Sequence, residues 1–181
     1  MRRLLPIVLF AVVATSCSAG QVPNLPDPTT RAPLTEATTT TSAPTTTEPP
    51  VVPGELDGFE VRPISIEDGE LTYLLTVAVA DTTAKRAQGL MGLADLGDLD
   101  GMLFVYEQPT TSTFWMKDTL VPLDIAFFNA EGDWVNNFTM QPCLDEECPT
   151  YSAEGQYLYA VEVPDAGFAT LTPAATLNPE L

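Results

Sequence analysis

Asp118 and Asp124 stand on either side of Pro122 in the run Phe114-Trp115-Met116-Lys117-Asp118-Thr119-Leu120-Val121-Pro122-Leu123-Asp124-Ile125. Two carboxylates facing one cleft could carry out hydrolysis. Glycoside cleavage, for instance, needs them about 5–5.5 Å or about 6.5–9.5 Å apart. The same residues suit two other roles. Lys117 and Arg86 could pair with Asp118 and Asp124 as structural ion pairs that neutralise half-buried carboxylates. Alternatively Arg86, Trp115, Lys117, Asp118 and Asp124 could form a small polar site beside an aromatic face, suited to a sugar or an acidic small molecule. From Gly58 onward the cations are Arg62, Lys85, Arg86 and Lys117 alone, so their placement carries information.

Most familiar enzyme classes fail on composition. The chain has no histidine, which removes the commonest general base and metal ligand and the usual serine and cysteine nucleophile schemes. Gly89, Gly92, Gly97 and Gly101 lack the spacing and the lysine of a phosphate-binding loop. The formal net charge of -18 disfavours nucleic acid as a partner, because binding it needs a basic footprint. These residues imply no cofactor and no metal. A non-catalytic binding or accessory domain is the favoured expectation, with an envelope hydrolase or a structural and assembly role as alternatives.

Three motifs in one order carry a resemblance: Arg86-Ala87-Gln88-Gly89-Leu90-Met91-Gly92, then Gly101-Met102-Leu103-Phe104-Val105-Tyr106, then Phe114 to Ile125. Together they resemble the domain of unknown function 192 family over about Leu71 to Thr170. The resemblance implies a small, mostly β domain, often exported, and no established activity. Leu93 stands where the family usually has arginine. The family's usual last strand is not supplied by Leu171-Thr172-Pro173-Ala174-Ala175.

The chain also bears an address. Arg2 and Arg3, an apolar run from Leu4 to Val13 and the small residues Ala14-Thr15-Ser16 read as a signal peptide over residues 1–16. The run is too short to span a bilayer. Cys17 follows directly, and Ala14-Thr15-Ser16-Cys17 resembles a bacterial lipobox, which implies acylation of Cys17 and membrane contact through the lipid. The expected location is outside the cytoplasmic membrane. Partners would be a small molecule, a glycan or an envelope protein. Lipid on Cys17 leaves Cys143 and Cys148 as a pair that an oxidising compartment would close. Zinc is a poor alternative, since two thiolates fall short of the four ligands a structural site wants.

Residues 17–57 are rich in proline and threonine, with almost no large apolar side chains, and read as a disordered tether. The domain is expected over residues 58–181. Its expected strands are Phe59–Arg62, Ile64–Ile66, Leu71–Ala80, Met102–Tyr106, Ser112–Lys117, Leu123–Asn129, Trp134–Met140 and Gln156–Val163. Glu67 to Glu70 marks a hairpin turn, and Asn129 to Asp133 marks another. Asp81-Thr82-Thr83 offers a cap for one short helix, Ala84 to Met91, ended by Gly92, and Ala166 to Leu171 reads as a last helical turn. Many short strands with one or two short helices predict a mainly β, barrel- or sandwich-like single domain. Strand alternation places most of Met102, Phe104, Phe114, Met116, Phe127 and Phe128 in the interior, core is the expected place for all six, and Trp115 remains as the aromatic available to a ligand.

Overall fold

A computed structural model describes residues 50–164 and 167–180; the signal segment, Cys17 and most of the tether lie outside the described residues. Nine strands and one α-helix follow in order: β1 (Glu60–Asp68), β2 (Leu71–Ala80), α1 (Thr83–Gln88), β3 (Gly101–Thr110), β4 (Phe114–Trp115), β5 (Leu123–Phe128), β6 (Trp134–Met140), β7 (Thr150–Tyr151), β8 (Tyr157–Pro164) and β9 (Thr176–Asn178). Seven of them form one curled sheet in the order β6-β5-β8-β3-β2-β1-β9, and β4 pairs with β7 in a separate ribbon. The fold is mainly β, as expected. Among the described residues no helix is long and apolar enough to cross a membrane.

The β2–β3 pair is parallel and every other pair is antiparallel. A parallel pair needs a crossover, and the segment between β2 and β3 supplies it, carrying α1 over one face of the sheet. At one end the two sheet edges meet: Trp134 N donates to Ala175 O at 3.1 Å, and Leu177 N donates to Gly132 O at 2.8 Å. This closure gives the sheet its half-barrel form.

Two apolar clusters lie on opposite faces, as alternation demands. Ala78, Met102, Phe104, Ile125, Phe127 and Ala160 face one cluster, which is covered by Leu90, Leu93, Phe114 and Met116. Val77, Leu103, Ala126, Phe128 and Val161 face the other, covered by Phe168, Leu171 and Ala175. With both faces covered, every residue of β5 is buried. Phe127 lies 4.9 Å from the Tyr157 ring and 5.5 Å from the Phe114 ring. Such aromatic pairs add about 0.5–1.5 kcal/mol each beyond their burial.

Several boundaries differ from expectation. The two short strands around Pro63 are one strand, β1, whose outer neighbour β9 covers only Ser65–Glu67 and so leaves the proline beyond the paired edge. The helix stops at Gln88 instead of Met91 because Gly89 takes a left-handed φ of 51°. Ser112–Lys117 is not a full strand. Only Phe114 and Trp115 form a strand, Lys117 makes an isolated bridge to Cys143, and Asp118 at φ 53° turns the chain away from extended geometry. No helix forms over Gly167–Leu171, and a last strand does exist, β9, displaced beyond the Pro173 that breaks the segment before it. Packing also begins earlier than Gly58. Leu56 is buried in the first cluster, and Val51 N donates to the Asp98 carboxylate at 2.8 Å.

Cys143 and Cys148 form a disulfide with Cα atoms 5.9 Å apart. Its loop is short, so the chain-entropy effect on the unfolded state is about 2 kcal/mol. Replacing both cysteines by serine should lower unfolding stability by no more than that, as read from denaturant midpoints.

Candidate functional site

The local sequence divides the five expected site residues among three places. Arg86 projects from α1. One Nη donates to the carbonyls of Asp81 and Val105, both at 2.8 Å, the other donates to Thr83 Oγ1 at 3.4 Å, and the guanidinium lies 4.6 Å from the centre of the Tyr106 ring. These contacts fix the helix to β3. Lys85, one residue earlier, pairs instead with Asp81 at 2.9 Å, and this hydrogen bond holds the Asp81 carboxyl below the usual range.

Lys117 and Asp118 belong to the surface. Lys117 Nζ donates to Asp145 O in the disulfide loop at 2.9 Å and sits 3.3 Å from the exposed Asp118 carboxylate. Exposed pairs of this kind contribute about 0–1 kcal/mol. Lys117→Ala should therefore shift stability by less than about 1 kcal/mol in a denaturant titration.

Asp124 lies on the opposite sheet face from Ile125 and Phe127. It is 1 % exposed, accepts from Thr139 Oγ1 at 2.5 Å and accepts from Phe168 N at 3.0 Å. The expected ion pairing of Asp124 with Lys117 or Arg86 is absent, because strand alternation turns this carboxylate toward the C-terminal segment. Asp118 and Asp124 do not share a cleft. One is solvated and the other is sealed with both oxygens occupied, so the paired-carboxylate arrangement fails on geometry.

A cavity of about 360 Å³ does exist, between α1, β3 and the chain around β4. Arg86 and Gln88 line it from α1, Phe104 and Tyr106 from β3, and Phe114, Trp115 and Thr119 from the third motif. Trp115 is half-exposed there, while Phe114, Phe104, Met102, Met116, Phe127 and Phe128 are buried as expected. Of the five expected residues the cavity brings together two, Arg86 and Trp115. Its size falls within the range of small-molecule sites, about 300–1,000 Å³.

Glu162 from β8 also lines the cavity, and reasoning from the sequence missed it. It is 4 % exposed and flanked in register by Met102 on β3 and Ile125 on β5. Gly101 permits this packing, since a Cβ there would stand 2.0 Å from Glu162 O. No described residue donates to the Glu162 side chain. No fully enclosed side-chain polar atom lacks a partner either, so the carboxyl must open on the cavity. Burial in apolar surroundings, with no ion pair to Glu162 among the described residues, pushes its pKa up to about 8. Burial likewise raises the phenol of Tyr157, at the start of the same strand, which donates to Ser112 O at 2.7 Å. The signal for Glu162 was a lone charge in the apolar strand Tyr157-Leu158-Tyr159-Ala160-Val161-Glu162-Val163, where two covered faces leave a carboxyl nowhere to meet bulk water. Among the described residues no group of three or more acidic or cysteine side chains is placed to hold a metal ion.

A family model described as DUF192, Uncharacterized ACR, matches residues 64–173. No curated protein matches the chain. Among solved structures, a protein of unknown function from Novosphingobium aromaticivorans DSM 12444 is similar at TM-score 0.60 and 26 % identity, over 73 % of this chain and 94 % of that one. A protein described as a candidate transcription regulator from Sinorhizobium meliloti 1021 is similar at TM-score 0.59 and 23 % identity, over 66 % of this chain and 94 % of that one.

Proposed function

The chain belongs to the DUF192 family, and from that premise we propose a non-catalytic, ligand-binding domain at the cell envelope, with its site in the cavity lined by Arg86, Trp115 and Glu162. The observation that carries this reading is Glu162: a buried carboxyl without a protein partner, opening on a cavity of small-molecule size. A group of that kind costs stability, and binding sites are where such groups concentrate. Export and a lipid anchor on Cys17 complete the proposal, supported by the signal segment and the lipobox-like Ala14-Thr15-Ser16-Cys17. The disulfide agrees with an oxidising location.

The test is thermal unfolding of the full chain against envelope sugars, peptidoglycan fragments and small organic acids, alongside two variants. Ala87 is exposed on α1 and lines the cavity, so Ala87→Trp should fill the mouth without disturbing the core. A ligand at 100 times its dissociation constant stabilises the native state by about 2.7 kcal/mol. That stabilisation should persist in Lys117→Ala and vanish in Ala87→Trp. Loss in Lys117→Ala with retention in Ala87→Trp would move the site to the surface pair.

A further inference from the structure

Resting on the cavity as the binding site, we infer that its ligand is a small organic monoanion of sugar-acid type. Its carboxylate would pair with Arg86, a hydroxyl or ring oxygen would take the hydrogen of Glu162, and its ring would lie against Trp115. The charge inventory decides the sign. Among the described residues, Arg86 and Glu162 are the only acidic or basic side chains lining the cavity apart from the Tyr106 phenol. Glu162 keeps its proton near neutral pH because it is buried, with Met102 and Ile125 beside it, and forms no ion pair among the described residues. The cavity therefore presents one positive charge and one carboxylic donor.

Arg86 has donors to spare. Its Nη1 hydrogens are taken by two carbonyls and one Nη2 hydrogen by Thr83, while Nε and the other Nη2 hydrogen have no partner among the described residues. Free N–H donors on a guanidinium make charge-assisted hydrogen bonds to a carboxylate. A cationic ligand would face Arg86 and would also require Glu162 to ionise in an apolar setting. The acidic surface of the chain repels an anion from afar, but salt screens that effect beyond about 10 Å at 0.1 M. Contact with Arg86 is not screened in the same way.

The experiment compares three probes with one ring and three charges, D-glucuronate, D-glucose and D-glucosamine, by calorimetric titration of the full chain at pH 7. Glucuronate should bind at least tenfold more tightly than the other two. Glu162→Gln, which keeps a donor, should retain glucuronate binding, while Glu162→Leu should lose at least tenfold. Arg86→Gln should lose binding altogether, and because Arg86 also holds two carbonyls, the Glu162 pair of variants decides the matter if that protein fails to fold. Glucose or glucosamine binding as tightly as glucuronate would overturn the anion assignment while leaving the cavity as the site. Equal binding in Glu162→Gln and Glu162→Leu would overturn the donor role. Silence from all three probes would overturn the sugar-acid class, and the wider ligand panel with Ala87→Trp then judges the cavity on its own.

Discussion

Glu162→Gln should stabilise the protein by about 4 kcal/mol at pH 8 and by less than about 1 kcal/mol at pH 5. The folded pKa of Glu162, raised to about 8, stands well above the ordinary glutamate value of 4.5. Between those values the folded chain binds a proton that the unfolded chain has lost, so stability falls as pH rises, by about 1.4 kcal/mol per unit. The stability associated with the protonated carboxyl is fully present below about pH 4.5 and has gone once the pH passes about 8. Glutamine keeps the shape and cannot ionise, so it removes this dependence. Urea unfolding of both proteins from pH 5 to pH 8 isolates the effect, because the many surface carboxylates are common to both and cancel in the difference. A difference that stays constant across that range would mean that Glu162 is ionised in the fold.

Asp124→Ala should cost about 3 kcal/mol, mostly through the buried Phe168 N–H left without its acceptor. The Thr139 hydroxyl loses a partner too, but Thr139 is exposed and water can replace it. Asp124→Asn should cost less, since one amide oxygen still accepts from Phe168. Both variants should respond to cavity ligands as the wild type does. An Asp124→Ala protein of unchanged stability that no longer binds would return Asp124 to the ligand site.

These two residues show what a sequence makes legible here. The hairpin at Gly69, the strands Leu71–Ala80 and Trp134–Met140 and the apolar character that buries Phe114, Phe127 and Phe128 are local features, and the structure has them. Arg86 and Trp115 could be picked out because cations are scarce and because one aromatic stood two residues from Lys117. Their meeting in a cavity depends on the crossover that lays α1 over the sheet, a relation between segments that local pattern does not encode. Asp124 was assigned to the wrong neighbours because alternation along a strand tells which residues share a face, not which face meets the site. Glu162 was hidden for the same reason. It sits far along the chain from the other cavity residues, and only the pairing of β8 between β3 and β5 brings it to them.

The measurement that tests this account most directly is a carbon-13 NMR titration of the Glu162 side-chain carboxyl, with the resonance assigned by its disappearance in Glu162→Gln. The account predicts a midpoint near 8 in the unliganded protein. A midpoint in the ordinary carboxylate range, about 4–5, would show a solvated or paired Glu162 and would remove the observation on which the proposed site rests.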